Sequence, residues 1–346
     1  MKINKTIADE PRFTDKEKLV MWAMCEYPDL KDIEISEKIG MGGRTFSSIK
    51  ARLAGNNLFS SLMFPDFGAI GCEFLTVSYG EFNSQASLKV MKKALKRINE
   101  CNAVIHVYSN GREFVILSAS KNITVFNKIM WEVFSDLKEI DFLRSVRHVH
   151  FPLEMTNYKF FEYSGIIKSK FAVSPGYEAG RMKKVSKKRL TKREKELLYA
   201  ILKMPGAKNR DISSASGIKE DSVGRIKRNL IKSGILNIRK IPDTDIFNFE
   251  ILAFMHVKYN RGQHLEEIEK RDEEPEILNI KSEADYVSVS LFKNYTQYSD
   301  YYFRNLEYLL KEDLIDKNPE VLLFPIIHLK SVKDFGFKDI LKIQFY

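Results

Sequence analysis

The sequence of 346 residues is poor in cysteine, and its three cysteines form no recognisable site. Cys25, Cys72 and Cys101 lie far apart, without the Cys-x-x-Cys spacing of a zinc or redox centre. Cys25 and Cys72 have apolar neighbours and are predicted to be small buried hydrophobic residues. The sequence therefore supports neither a disulfide framework nor a zinc site, and we expect no metal and no cofactor.

Long apolar segments are also missing. The first residues, MKINKTIADEPRF, lack the apolar region of a signal peptide. The longest apolar run, Val321 to Leu329, is interrupted by Pro325 and His328 and is too short to span a bilayer. We therefore expect a soluble cytoplasmic protein with no membrane partner.

Motifs of phosphate binding, nucleophilic hydrolysis, zinc proteolysis and dinucleotide binding do not occur in the sequence. His148 and His150 share one face of a predicted strand, where packing or cross-strand hydrogen bonding is preferred over metal binding because no cysteine or carboxylate accompanies them at ligand spacing. The sequence indicates no catalytic residue, and we expect that the chain is not an enzyme.

Positive charge is what the sequence has in excess. Lys and Arg number 56 against 46 Asp and Glu, which gives a formal net charge of +10. This balance favours a polyanionic partner, because phosphate contacts release counterions. Hydrophobic residues make up 44% of the chain, which is ample for packed cores, and the length suits two to four domains.

An internal repeat is the strongest positive feature. Residues 191–243 align without a gap on residues 14–66 after a shift of 177 positions. The matched pairs include Thr191 with Thr14, Pro205 with Pro28, Gly217 with Gly40, and Leu230 with Leu53. A period near half the chain length predicts two copies of one unit.

The repeated stretch has the pattern of a helix-turn-helix. Thr14 and Glu17 form a capping box ahead of an apolar series, and two further short helices follow. In the second copy, 212–216 is the supporting helix, Gly217 the turn, and 220–230 the recognition helix. An extended segment follows where a wing is expected.

We predict that both recognition helices bind duplex DNA, with lysine and arginine opposite an apolar stripe. The predicted DNA-binding residues of the first copy are Arg44, Thr45, Ser47, Ser48, Lys50 and Arg52. Those of the second copy are Lys219, Ser222, Arg225, Lys227, Arg228 and Lys232, with Arg239 and Lys240 in the wing. The first copy is the weaker candidate, because its wing segment SSLMFPDFG has no positive charge. The alternative is a solvated helix face.

After each helix-turn-helix the apolar period changes to two, and the elements follow the order β-α-β-β-α-β of a ferredoxin-like module. Asn110-Gly111 between two β-rich runs predicts a type I′ turn. In the second copy a short helix is expected at 265–270. The tail 334–346 is expected to add a strand or pack on a surface.

The predicted fold class is α+β, with two winged helix-turn-helix modules that are each followed by a ferredoxin-like module. The expected boundaries are 1–68 and 69–153 for the first pair, 154–190 for a basic linker, and 191–246 and 247–346 for the second pair. The aromatic start of the linker is expected to pack on the body. Its basic run, 181–189, is either a soluble connector or a tail along the phosphate backbone.

In this order of elements the chain resembles the Lrp/AsnC family of prokaryotic, especially archaeal, transcription regulators. The segments that carry the resemblance are TKREKELLYAILK, RDISSASGIKEDSVGRIKRNLIKSGIL and FEILAFMHVKY. The resemblance implies a pseudo-dimeric DNA-binding regulator with two sheets face to face, a small-molecule effector and a homo-oligomer. The alternatives are a winged-helix adaptor for protein partners and an enzyme like the siroheme decarboxylases, which use the same scaffold. For that enzyme His106 and Arg112 are the candidate residues of a tetrapyrrole pocket.

Overall fold

The structure is a computed structural model that describes residues 13–83, 85–139, 141–173, 190–260, 275–333 and 335–345. The N-terminal arm, the basic run of the expected linker and the expected helix at 265–270 lie outside these ranges. No helix within the described ranges is long and apolar enough to cross a membrane. The fold is of the α+β class with antiparallel sheets.

The first half begins with three short helices and ends with a strand and a helix. The elements are α1 (Asp15–Glu26), α2 (Asp32–Lys38), α3 (Gly43–Gly55), β1 (Phe59–Pro65), β2 (Phe74–Phe82), α4 (Leu88–Glu100), β3 (Val104–Ser109), β4 (Glu113–Ser120), α5 (Ile123–Glu139), β5 (Leu143–Pro152), β6 (Asn157–Phe160) and α6 (Ser164–Phe171).

The second half follows the same order over its described residues. The elements are α7 (Lys192–Lys203), α8 (Asn209–Ser216), α9 (Glu220–Lys232), β7 (Leu236–Pro242), β8 (Ile251–Lys258), β9 (Glu276–Lys281), β10 (Asp285–Phe292), α10 (Tyr295–Lys311), β11 (Glu320–Pro325), β12 (Lys330–Lys333) and α11 (Phe337–Phe345).

Equivalent capping boxes start the first helix of each half. The Thr14 side chain accepts a hydrogen bond from the backbone N–H of Glu17, whose carboxylate accepts one from the backbone N–H of Thr14. Thr191 and Glu194 repeat this reciprocal pair at α7. Each box satisfies two N–H groups that the helix leaves without an internal partner, and the capping box predicted at Thr14 is confirmed.

The strands after the third helices pair with each other rather than forming separate wings. β1 and β7 make a two-stranded antiparallel ribbon in which Leu62 lies opposite Arg239, its equivalent 177 positions later in the chain. An antiparallel pair of equivalent strands centred on equivalent residues is related by a twofold axis. The ribbon therefore marks an approximate twofold axis between the halves.

Each half also gives one strand to the sheet of the other half. The first sheet has the order β12-β3-β4-β2-β5 and the second the order β11-β8-β10-β9-β6. β6 and α6 lie in the stretch that was expected to be linker. The aromatic start of this stretch packs on the body as expected, since Phe160 and Phe161 are buried at 1% and 3% exposure and hold the segment in the core. The expected tail, 334–346, contributes α11 rather than a strand, and this helix packs on the body through the buried Phe337, Ile340 and Leu341, while β12 lies just before it.

The hairpin between β3 and β4 turns one residue later than predicted. The backbone φ is positive at Gly111 (91°) but not at Asn110 or Arg112. Asn110 instead donates its backbone N–H to the carbonyl of Glu113, so Gly111 and Arg112 are the two central residues. A type I′ turn needs positive φ at both central residues, and the prediction of that turn type was therefore wrong.

The two sheets pack face to face around a continuous apolar core. Their inner faces contribute Leu75, Val77, Ile105, Val115, Leu117, Leu252, Phe254, Leu278, Val287 and Val289. Helices α4 and α5 cover the outer face of the first sheet, and α10 covers the outer face of the second. Cys25 and Cys72 are buried at 4% exposure, as predicted.

Candidate functional site between the two sheets

The residues predicted to bind DNA on α3 have two different environments. Arg44, Thr45, Ser47 and Ser48 are exposed. Further along the helix, Lys50 and Arg52 form ion pairs within the same three-helix unit.

These ion pairs are short. The Lys50 Nζ lies 2.6 Å from an Asp32 carboxylate oxygen, and an Arg52 Nη lies 2.7 Å from a Glu17 carboxylate oxygen. Their positive charges are thereby balanced by carboxylates of the same unit.

The corresponding basic residues of α9 make fewer contacts with carboxylates than those of α3. Lys219, Arg225, Arg228 and Lys232 are exposed and form no ion pair with any residue in the described ranges. Ser222 and Lys227 are half-buried, and burial lowers the pKa of Lys227.

Arg239, which was expected in a wing, is bound inside the protein. Its Nη2 lies 2.6 Å from a Glu162 carboxylate oxygen, and its Nε donates to the Phe160 carbonyl at 3.2 Å. Its guanidinium lies over the Phe64 ring, 5.7 Å from the ring centroid.

Lys240 donates to the Ser61 hydroxyl at 2.7 Å, and burial together with the charge of Lys50 lowers its pKa. Both residues lie in the ribbon between the halves rather than in a free wing, with their side chains bound to protein groups. Their part in DNA binding stays a prediction.

A hydrogen-bonded cluster lies where equivalent positions of the two halves meet. Tyr79 of β2 and His256 of β8 are equivalent, 177 positions apart, and the Tyr79 hydroxyl is 2.8 Å from the His256 Nδ1. The His256 Nε2 is 2.9 Å from an Asp285 carboxylate oxygen. The Tyr79 hydroxyl also donates to Glu320 at 3.0 Å.

A second pair of equivalent residues closes this cluster. Arg147 lies opposite Tyr79 across β2 and β5, as Glu320 lies opposite His256 across β8 and β11. The Arg147 guanidinium forms an ion pair with the Glu320 carboxylate. We call these five residues, Tyr79, His256, Asp285, Glu320 and Arg147, the axis cluster.

The contacts of the axis cluster limit the arrangements of protons that make all of them hydrogen bonds. Tyr79 has one hydroxyl proton, which it donates to Glu320, so its contact with His256 requires a proton on Nδ1. The contact with Asp285 requires a proton on Nε2. With both carboxylates ionised, all three contacts are hydrogen bonds only when the imidazole carries both protons. Burial and the Glu320 charge raise the pKa of Tyr79, which keeps its hydroxyl protonated.

Next to the axis cluster, the sheets enclose a small chamber around His106. It is lined by Val77, His106, Tyr108, Val115, Leu117, Leu278, Val287, Val289 and Phe335, and its volume is about 10 Å³. His106 is 5% exposed. The Phe335 ring stacks on its imidazole with centroids 4.0 Å apart, and the Tyr108 ring meets it edge-on at 4.3 Å.

The chamber also lies between equivalent positions. His106 is opposite Leu117 in the first sheet, as Leu278 is opposite Val289 in the second. The first half thus presents an imidazole where the second presents an aliphatic side chain. Arg112, the other candidate for a tetrapyrrole pocket, is exposed at the hairpin turn and is not brought together with His106.

His148 and His150 make the cross-strand hydrogen bonds that were predicted for them. The His148 Nδ1 is 2.7 Å from the Ser78 hydroxyl, and the His150 Nδ1 is 3.0 Å from the Thr76 hydroxyl. Among the described residues no group of three or more His, Cys, Asp or Glu side chains is arranged to hold a metal ion.

Sequence reasoning missed the axis cluster, although the repeat contained a signal for it. The shift of 177 positions that aligns the two copies of the repeated stretch also places Tyr79 on His256. A polar pair at equivalent positions of two facing strands is the pattern to look for. Asp285 and Glu320 could not be assigned to the cluster from the sequence, because only the folded sheet brings their strands, β10 and β11, beside β8.

Comparison with solved structures reveals a likeness over the whole chain. The siroheme decarboxylase NirDL matches with a TM-score of 0.54 and 11% identity, over 96% of this chain and 98% of that one. The same enzyme in co-complex with an iron-uroporphyrin III analogue gives a TM-score of 0.55, 10% identity, and coverage of 95% and 97%. At this identity the likeness shows the fold.

An AsnC family transcriptional regulator from Agrobacterium tumefaciens matches over 40% of this chain and 87% of its own, with a TM-score of 0.32 and 14% identity. No protein-family model matches the sequence, and no curated protein matches it.

The full-length likeness corrects one expectation. The lack of sequence motifs predicted that the chain is not an enzyme, but the protein that it resembles from end to end is a decarboxylase. Motif absence was a poor guide because both candidate groups between the sheets, the axis cluster and the His106 chamber, are assembled from strands far apart in the sequence.

Proposed function

We propose that this chain is an enzyme on the siroheme-decarboxylase scaffold and that it binds a carboxylate-bearing iron tetrapyrrole between its two sheets. The observation that carries the proposal is His106, a buried imidazole in an otherwise apolar chamber beside the axis cluster. A neutral imidazole is a common protein ligand of haem iron. The positive net charge of the chain favours an anionic substrate.

The axis cluster gives this proposal a source of protons. Decarboxylation breaks the bond between a side-chain carbon and its carboxylate, releases CO₂, and requires that the carbon receive a proton. Tyr79 and Val77 point to the same side of β2 and stand about 7 Å apart along the strand, so the hydroxyl lies one side chain from the chamber. In this proposal Tyr79 is the general acid that gives its hydroxyl proton to the carbon. His256, whose Nδ1 is 2.8 Å from that hydroxyl, then replaces the proton.

Binding of a tetrapyrrole requires the chamber to open. A volume of about 10 Å³ holds at most one water molecule. Phe335 is the only half-buried aromatic ring among the chamber residues that belongs to neither sheet, so it is the side chain best able to leave. Its displacement uncovers one face of His106.

The activity is tested by incubating the protein with siroheme and following CO₂ release and the mass of the tetrapyrrole. Wild-type protein is expected to yield product, and Tyr79→Phe is expected to lose turnover while retaining binding. Phe335→Ala is expected to bind the tetrapyrrole more tightly than wild type, because the space is already open. Failure of both wild type and Phe335→Ala to bind or convert siroheme contradicts the proposal.

A second candidate function, binding of duplex DNA, is favoured by one observation on α9. Its four exposed basic residues lack ion-pair partners in the described ranges, whereas Lys50 and Arg52 of α3 are paired. In this proposal the three-helix units are the winged helix-turn-helix modules 1–68 and 191–246, and 69–153 and 247–346 are ferredoxin-like modules. Binding is asymmetric, with α9 the main contact.

DNA binding is tested by gel shift against salt concentration. Changing Arg225 and Arg228 to Ala removes two phosphate contacts and should flatten the slope of log affinity against log salt by about 2. Arg52→Ala is the matched control in α3 and should leave the slope unchanged. An affinity that is the same for wild type and the α9 double variant shows that α9 does not bind DNA.

A further inference from the structure

Two helices on opposite sides of the molecule expose a large aromatic side chain at the same position. Trp131 is the ninth residue of α5 and is 76% exposed, and Phe303 is the ninth residue of α10 and is 62% exposed. The first residues, Ile123 and Tyr295, are also exposed, at 37% and 62%. Large aromatic side chains that are exposed at matching positions of two equivalent helices are candidates for contact with a partner.

The core does not require these aromatic residues. The inward face of α5 is formed by Phe126, Met130 and Phe134, which pack on the first sheet. Tyr298 and Leu309 have that role for α10 on the second sheet. Trp131 and Phe303 are therefore additional to the side chains that attach each helix to its sheet.

The charges around the two aromatic residues are of opposite sign. Lys128 and Asp300 are both the sixth residue of their helix, and Glu132 and Arg304 are both the tenth. All four are exposed. A parallel contact between α5 and α10 thus places Lys128 against Asp300 and Glu132 against Arg304. Contact of either helix with its own copy in the same orientation brings like charges together.

One molecule cannot form this contact by itself. α5 covers the outer face of the first sheet and α10 the outer face of the second, while the inner faces pack together. The two helices are separated by the full thickness of both sheets.

We propose that α5 of one copy binds α10 of a second copy, with Trp131 against Phe303 at the centre and the two charge pairs at its rim. The partner is a second copy of this chain because α10 carries an aromatic residue and the two opposite charges at the positions that match those of α5. The contact is heterologous. After two copies pair, one still has a free α10 and the other a free α5, so further copies add head to tail.

Concentration-dependent fluorescence gives a first test. The chain has two tryptophans, and the other, Trp22, is buried at 3% exposure. Emission should therefore shift to shorter wavelength as the protein concentration rises and Trp131 becomes buried. In parallel, sedimentation velocity should show species larger than a monomer. A monomer with unchanged emission at all concentrations overturns the proposal.

A mixing experiment tests the head-to-tail arrangement. Trp131→Asp and Phe303→Asp should each weaken association by roughly 30-fold or more, as loss of a central aromatic residue does at interfaces. When mixed, the first variant still offers α10 and the second still offers α5, so a 1:1 dimer should form and grow no further. If Trp131→Asp alone dimerises through α10, or the mixture stays monomeric, the heterologous contact is wrong.

Two controls separate the contact from a loss of folding. Ile33→Asp changes another exposed hydrophobic residue, 61% exposed on α2, and should leave association unchanged. Lys128→Asp should weaken association, and the double variant Lys128→Asp/Asp300→Lys should restore it. If the double variant does not recover association, the charge pairing is wrong. If Ile33→Asp also weakens association, the α5–α10 surface is wrong. Equal melting temperatures of all variants show that the fold is retained.

Discussion

At the axis between the halves the first half places Tyr79 and Arg147, and the second places His256 and Glu320. In a true twofold dimer each residue on the axis meets its own copy. Two arginines would then repel each other, and so would two glutamates. Because the two halves are one chain, each position can differ from its equivalent, and the pairs that result are complementary in charge and in hydrogen bonding.

The same divergence separates the remaining sites of the two halves. Only the first half has an imidazole in the inter-sheet chamber, since Leu278 replaces His106 in the second. Within the described ranges, four exposed basic residues of α9 form no ion pair, whereas Lys50 and Arg52 of α3 are paired with carboxylates. The molecule is symmetric in fold and asymmetric in chemistry.

Gly80 provides the largest expected difference in stability. A Cβ at this position would lie 2.1 Å from the backbone oxygen of Ser145, which is a severe clash between neighbouring strands. The equivalent residue of β8, Val257, has room for a whole buried side chain. Gly80→Ala should lower the free energy of unfolding by roughly 3–5 kcal/mol, in the exceptional range for single substitutions. Urea denaturation measures it.

Val257→Ala is the matched control for Gly80→Ala. It removes buried apolar groups without a clash and should cost about 2 kcal/mol. A Gly80→Ala protein as stable as wild type would show that β2 and β5 do not approach as closely as described.

Tyr79→Phe tests the axis cluster. Loss of the hydroxyl removes one partner from His256, which keeps Asp285, and one partner from Glu320, which keeps Arg147. The free energy of unfolding should fall by about 1–3 kcal/mol. A double-mutant cycle with His256→Leu should give a coupling energy of about 1 kcal/mol, and additive effects would show that the two residues act independently.

The histidine pair should make the first half sensitive to acid. Partial burial lowers the pKa of His148 and of His150 from the ordinary value of 6.5, and for His148 the charge of His150 adds to this. The unfolded chain then binds protons more readily than the folded one. The associated stability is present above pH 6.5 and is lost as the pH falls below it, through the lowered folded values.

The second half carries Val321 and Leu323 at the positions equivalent to His148 and His150, as the strand pairing shows. His148→Val/His150→Leu gives the first half the residues of the second and should flatten the fall in melting temperature between pH 7 and pH 5. An unchanged pH profile would mean that other groups cause it.

The exchange of Arg147 and Glu320 has the smallest expected effect. Arg147→Glu places two carboxylates together and should lower the free energy of unfolding by at most about 1 kcal/mol, since both side chains are largely exposed. Arg147→Glu/Glu320→Arg reverses the pair and should restore stability. A reversed pair no more stable than the single variant would show that orientation matters more than charge.

Much of the fold could be predicted because its signals are local. The capping box at Thr14 and the apolar spacing of Phe46, Ile49 and Leu53 fix α1 and α3 from adjacent residues. The exchange of β6 and β12 between the halves could not be predicted, because strand pairing across 100 or more residues leaves no periodic trace. For that reason Arg239 was expected in a free wing and lies in a ribbon.

Absorbance spectroscopy with an iron tetrapyrrole tests the central claim most directly. Iron uroporphyrin is titrated into wild-type protein, His106→Ala and Leu278→Ala, the last being the matched change at the equivalent position of the second half. We predict a shifted Soret band for wild type and for Leu278→Ala, and none for His106→Ala. An identical shift in all three proteins, or no shift with wild type, would contradict the assignment of His106 as the tetrapyrrole ligand.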